Sequence, residues 1–312
     1  MKKHSKIEGL IAPVFTPMND NGDIDTGIIP HYAKDLKSKG LAGIFVSGSS
    51  GEGVLLTTEE RKNITEAWAP YASNEFKFIV HVGSTSYRES QELAVHARDN
   101  GAWAISSMGP TFLQPKTAED LVEFCRLIAS SAPEIPFYYY HFPIRTGVDI
   151  SMVEFLQEGV KVIPNLAGIK FTHSNFMEMQ QCISLDNGRF DITHGHDEIL
   201  LCGLSIGVQG AIGITYNFIP DLYMQIIQSF NDGEIQVARK LQQLSVKIIK
   251  IIAKYRGGIV AGKAMAKMTG IDCGPCRSPL RSLSSQEYKN LEKELAEVGF
   301  FNLVANQKRM GK

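Results

Sequence analysis

What most constrains the fold of this chain is an alternation along its length. Eight short, β-rich apolar runs (residues 10–15, 43–47, 76–82, 102–107, 136–140, 166–171, 190–194 and 209–214) are separated by longer amphipathic stretches, among them 26–39, 58–72, 89–100, 117–132 and 176–185. The runs are near-continuously hydrophobic, the pattern of strands covered on both faces in a parallel sheet. Thr117 with Asp120 and Ser151 with Glu154 have the spacing of helix N-terminal caps, whereas Thr58 has Arg61 three residues on and does not. Gly40 and Gly101 stand where a helix should stop before the next strand. Eight such units in a row predict an α/β fold, a closed (β/α)8 TIM barrel, which takes about 250 residues. An open doubly wound sheet gives no natural account of eight. The barrel is expected over 1–231. The tail, 232–312, has no strand signal, and its patterns at 234–255, 261–269 and 285–298 predict a helical appendix packed on the barrel.

The chain has 312 residues, with 32 Lys and Arg against 33 Asp and Glu, so no basic face for nucleic acid or an anionic membrane is expected. No apolar run approaches the roughly 20 residues of a membrane span. Basic residues within Met1 to Gly9 lead into Pro13 and Pro17 rather than an apolar segment, so no secretory leader is expected. Five cysteines, an odd count in a long chain, fit a reducing, cytoplasmic setting.

Such a barrel carries its chemistry at the C-terminal ends of its strands. Lys170 follows Leu166-Ala167-Gly168-Ile169, an apolar strand in which a charge is costly. Desolvation favours the neutral amine, the form that attacks a carbonyl to make a Schiff base. The alternative is a strand-end lysine that snorkels to water or pairs with a carboxylate. Tyr140 ends the preceding strand, so its phenol should neighbour Lys170 and relay protons, while Tyr138 and Tyr139 read as packing. Gly48-Ser49-Ser50-Gly51-Glu52, after the second strand, places small residues where backbone N–H groups can approach an anion, although many loops of this type are rich in Gly and Ser for other reasons. Together the three elements describe a site for a 2-oxo acid.

These motifs, with Pro143 and Thr146-Gly147-Val148 after Tyr140, resemble the signatures of the dihydrodipicolinate synthase/N-acetylneuraminate lyase superfamily over nearly the whole chain. Within it, Phe137 to His141, Gly195-His196-Asp197-Glu198 and Thr215-Tyr216-Asn217 look most like the N-acetylneuraminate lyase branch. The resemblance implies a class I (Schiff-base) aldolase cleaving N-acetylneuraminate to N-acetylmannosamine and pyruvate. It also implies a homotetramer with no metal and no organic cofactor, whose partner is a small 2-oxo acid. Lys170 would be the covalent lysine and Tyr140 the proton relay. Ser49 and Ser50 would hold the pyruvate carboxylate, with Ser49 completing the relay. Thr172, Gly195, Asp197, Glu198 and Gly213 would meet the sugar-derived part.

Three positions complicate the substrate. Arg145 stands where the synthases carry an arginine for a substrate carboxylate. Ile214 replaces a serine of the lyases, removing a hydroxyl expected to face the polyol, and Phe112 stands where the synthases need a tyrosine from a neighbouring subunit. Alternative readings are therefore a synthase-like aldolase or dehydratase of another acid, and a non-catalytic ligand-binding barrel. The intact Lys170, Tyr140 and Ser49 weigh against the last.

Other signals point elsewhere. Gly257 to Ala264 nearly spells a phosphate-binding loop but lacks the hydroxyl after Lys263, so no nucleotide is expected. Cys273-Gly274-Pro275-Cys276 has redox-motif spacing, yet Pro279 follows and further zinc ligands are missing nearby, so loop cysteines are expected. His194, His196, Asp197 and Glu198 suggest a metal cluster, but substrate contacts and a packed histidine are expected instead. Trp68 and Trp103 read as core.

Overall fold

The computed structural model describes residues 5–310, with side chains described through Ala305; Met1–His4, part of the stretch weighed above as a leader, and the last two residues lie outside it. Eight parallel strands, β1 (Gly9–Pro13), β2 (Gly43–Val46), β3 (Lys77–His81), β4 (Ala104–Ser107), β5 (Phe137–His141), β6 (Leu166–Phe171), β7 (Asp191–His194) and β8 (Gly210–Ile212), close in sequence order, as the alternation predicts. Closure runs through Gly9 beside Gly210 and Ile11 beside Ile212. The strands read as continuously apolar because both faces are covered. Ile11, Phe45, Ile79, Tyr138, Tyr140 and Ile212 fill the barrel, while Ile44, Val46, Phe78, Val80, Ile105 and Ile169 face outward into the larger core under the helices.

Those helices are α1 (Ile29–Ser38), α2 (Thr58–Trp68), α3 (Tyr87–Asp99), α4 (Ala118–Ala129), the single turn α5 (Pro143–Thr146), α6 (Met152–Val162), α7 (Phe176–Gly188), α8 (Leu200–Ser205) and α9 (Pro220–Asn231). Four more follow: α10 (Ile235–Lys254), α11 (Gly257–Thr269), α12 (Ser285–Glu297) and α13 (Phe300–Met310). Thr117 and Asp120 form the expected capping box. Ser151 caps α6 by accepting the Glu154 N–H at 3.3 Å. The α2 box lies one residue earlier than the Thr58 position considered from the sequence: Thr57 Oγ1 accepts the Glu60 N–H at 3.2 Å, and Glu60 Oε2 accepts the Thr57 N–H at 2.8 Å. Among the described residues no helix is long and apolar enough to cross a membrane.

Candidate active site

The end of β6 places Lys170 inside the barrel mouth, and strand register sets it directly beside Tyr140 on β5. Only 4% of Lys170 is exposed. Its Nζ lies 3.9 Å from the centre of the Tyr140 ring and 4.4 Å from that of Phe45, so the amine sits between two aromatic faces. Among the described residues no carboxylate forms an ion pair with it, which removes the snorkelled, salt-bridged alternative. Gly168 in the same motif is there for steric reasons, since a Cβ at that position would collide with the Asp191 carbonyl on β7.

The Tyr140 hydroxyl stands 3.4 Å from Ser49 Oγ, joining the phenol to the β2 loop. In that loop Gly53 N–H closes onto the Gly48 carbonyl at 3.1 Å and Glu52 N–H onto the Ser49 carbonyl at 3.1 Å. The amides of Ser49 and Ser50 donate to no group among the described residues. Two backbone donors and the Ser49 hydroxyl thus remain for an anion beside the lysine. Ser50 is buried and Ser49 half-buried.

Opposite this loop, the β7 and β8 ends supply the polar wall. Asp197 is buried, and its Oδ2 accepts the Thr215 N–H at 2.8 Å and the Thr215 hydroxyl at 2.5 Å. Burial pushes its carboxyl up to about 7, with Glu198 adding to the rise while the Thr215 bonds and Lys170 oppose it. Gly213 is required by Asp197, whose Oδ1 occupies the space a Cβ would take, and Gly195 leaves room for the Thr172 hydroxyl in the same way. Thr172 Oγ1 has no partner among the described residues. Glu198 and His196 are half-buried beside them, and burial, countered by Glu198, lowers the His196 imidazole pKa.

The structure therefore brings Lys170, Tyr140, Ser49 and Ser50 together, with Thr172, Gly195, Asp197, Glu198 and Gly213 forming the other wall. Arg145 is exposed on α5, the single turn that follows Tyr140 and His141 at the end of β5. Ile214 is half-buried and packs on α11, where a Cβ on Gly258 would lie 2.9 Å from its Cδ1. The glycines of the phosphate-loop-like segment thus serve close helix packing, and Gly262 rests on the Phe15 ring in the same way. His194 is the packed histidine expected, stacked 5.9 Å from Phe176, its imidazole pKa lowered to about 4 by burial and His196. Cys273 is a buried free thiol pushed up to about 12 by burial, which makes it a poor nucleophile.

Sequence reasoning missed two inward-facing neighbours. His81, the last residue of β3, packs its ring 5.9 Å from Tyr140 and 6.0 Å from Phe45. Burial, with Arg61 and Lys170 nearby, holds its pKa well below the usual imidazole value. The strand-end rule that selected Lys170 would have selected His81 and Phe45 had the period of two been followed along β3 and β2.

Residues 6–298 match the Dihydrodipicolinate synthetase family. The N-acetylneuraminate lyase of Homo sapiens is 36% identical over 303 residues, covering 96% of this chain and 95% of that protein. N-acetylneuraminate lyase A of Xenopus laevis is 37% identical over 297 residues, covering 94% of this chain and 97% of that one. Among solved structures, that of Proteus mirabilis N-acetylneuraminate lyase superposes with a TM-score of 0.92 at 38% identity, spanning 95% of this chain and 100% of that chain.

Proposed function

Because this chain belongs to the dihydrodipicolinate synthetase family, we propose that it is a Schiff-base aldolase cleaving N-acetylneuraminate to N-acetylmannosamine and pyruvate. The observation that carries this reading is the Lys170 amine, buried between the Tyr140 and Phe45 rings with no carboxylate paired to it among the described residues. In its neutral form the amine attacks the keto carbon of the open-chain sugar acid, and loss of water leaves an iminium. The Ser49 and Ser50 amides hold the neighbouring carboxylate. Tyr140, linked to Ser49, takes the proton of the carbon-4 hydroxyl, and the bond between carbons 3 and 4 breaks. Its electrons pass into the iminium to give an enamine. The aldehyde of N-acetylmannosamine leaves, the enamine carbon is protonated, and water releases pyruvate and the free lysine.

Asp197, Glu198 and Thr172 bind the hydroxyls of the sugar portion. A site built from buried polar groups rejects analogues that leave those groups unpaired. The reaction needs no metal or organic cofactor, since the iminium is the electron sink. Phe112, 75% exposed, and the exposed Leu113 and Ile144 leave apolar side chains after β4 and β5 that support assembly into a homotetramer, and the free cysteines support a reducing, cytoplasmic setting. One observation favours a second substrate, an acid with a further carboxylate: Arg145 is exposed, with no ion pair among the described residues.

The test is an activity panel that reads pyruvate release from N-acetylneuraminate and from 2-keto-3-deoxy sugar acids, and pyruvate consumption with aspartate semialdehyde. Stoichiometric pyruvate and N-acetylmannosamine from the first, at the highest kcat/KM, is expected. Turnover of another acid without N-acetylneuraminate would overturn the substrate assignment, and turnover of none would overturn the enzyme.

A further inference from the structure

Outside the barrel, behind the mouth, three side chains converge that the reaction does not use. His141 ends β5 with its ring pointing outward, so it faces away from Tyr140. His173 lies in the loop after β6, and Glu178 is in the first turn of α7. One ligand atom from each, two imidazole nitrogens and a carboxylate oxygen, lies within 4.8 Å of the others. We propose that His141, His173 and Glu178 bind one divalent transition-metal ion of the zinc class.

The unpaired nitrogens are the first argument. His141 is fully buried, and both its ring nitrogens lack a hydrogen-bond partner among the described residues, as does Nδ1 of His173. Buried polar atoms left unpaired are uncommon because each forfeits its hydration.

The second argument is orientation. The Met152 N–H donates to Glu178 Oε1 at 2.7 Å, and the Asn175 side-chain amide donates to Glu178 Oε2 at 3.5 Å. These bonds fix the carboxylate as outer-shell contacts fix metal ligands. The Thr172 N–H donates to the His141 carbonyl at 2.8 Å, tying the His173 loop to β5. The His173 ring stacks on Phe171 at 6.2 Å and lies 5.5 Å from the His141 ring.

Donor chemistry selects the ion. Two imidazoles and one carboxylate suit zinc and its neighbours, whereas calcium and magnesium prefer all-oxygen sites. Ligand atoms in a tetrahedral zinc site lie about 3.3 Å apart, given bonds near 2.0–2.1 Å. The ligand atoms, all within 4.8 Å of one another, would close to that spacing by a rotation of the half-buried His173 ring. Water fills the fourth position. The ion would join β5, β6 and α7 immediately behind Thr172 without entering the mouth, so the proposal is independent of the reaction at Lys170.

Tag-free, chelator-stripped protein titrated with Zn²⁺ by calorimetry should bind one ion per chain. Co²⁺ in its place should give the visible bands of a four- or five-coordinate site. His173→Asn, at a half-buried position, should keep the wild-type far-UV spectrum and weaken binding at least tenfold, since even outer-shell changes cost about 10–100-fold. Glu178→Gln should weaken it comparably. Less than one ion per chain in the wild type, or less than tenfold weakening in both variants, would overturn the proposal.

Discussion

Asp197 shows at the scale of one residue how burial writes a pH dependence into this site. Its carboxyl is pushed up to about 7 from an ordinary 3.8, chiefly by burial. A raised carboxyl takes up a proton on folding. The stability this contributes is fully present below about pH 4 and is lost as pH rises through about 7. Wild-type protein should therefore lose stability relative to Asp197→Asn between pH 5 and pH 8, measured by urea unfolding at several pH values. A pH-independent difference between the two would contradict the assignment. If Asp197 binds the sugar portion as proposed, the same titration enters binding, because an ionised carboxylate accepts hydrogen bonds from hydroxyls better than the protonated form does. The KM of the wild type should inflect near pH 7, and that inflection should be absent from the variant.

Between elements, the least expected contact joins the loop after β2 to the helices after the barrel. Glu52 and Lys263 form an ion pair of 2.7 Å with side chains 0% and 3% exposed. Lys263 also donates to the Pro275 carbonyl at 2.6 Å, and Glu52 Oε2 accepts the Arg277 N–H at 2.7 Å. The Arg277 guanidinium then grips Glu60 of α2 through two bonds of 2.6 and 2.7 Å. Removing one partner of a buried pair strands the other charge and costs about 3–5 kcal/mol, whereas removing both is far cheaper. Lys263→Met should thus lower stability by about that amount, and the double variant Glu52→Gln/Lys263→Met should recover most of it, as measured by chemical denaturation. Equal loss in both would show that the pairing is not what holds the loop.

This contact also marks where sequence reading stops. Strand order and the placing of Lys170, Tyr140 and Ser49 together at the barrel mouth were legible because they follow from short-range patterns: apolar runs, strand ends and small-residue loops. Lys263 with Glu52, Ile214 on Gly258 and the Gln242 bond to the Asp197 carbonyl at 3.1 Å join residues far apart in sequence. No periodicity encodes such pairs. The helix over Gly257–Thr269 begins four residues before its expected start for the same reason, since tertiary packing of two glycines outweighs their low helix propensity. α5, α8, α9 and α13 have no counterpart among the sequence expectations, although Pro220 at the first turn of α9 is an ordinary helix-start signal.

For the molecule as a whole, the appendix is no separable unit. Gln242 of α10 also accepts the Leu201 N–H of α8 at 2.8 Å, and Ser245 meets the Tyr223 hydroxyl of α9 at 2.9 Å. We therefore propose that residues 1–231 and the helical tail unfold together; a single transition by circular dichroism and by tryptophan fluorescence is expected, and two resolved steps would contradict it. Covalent chemistry at the mouth is read out by treating the whole protein with pyruvate and borohydride and measuring its mass. One pyruvate-derived unit per chain, mapped by peptide analysis to Lys170 and absent from Lys170→Ala, is the predicted result. An unmodified Lys170 in folded wild-type protein, or a label that persists in the variant, would contradict it.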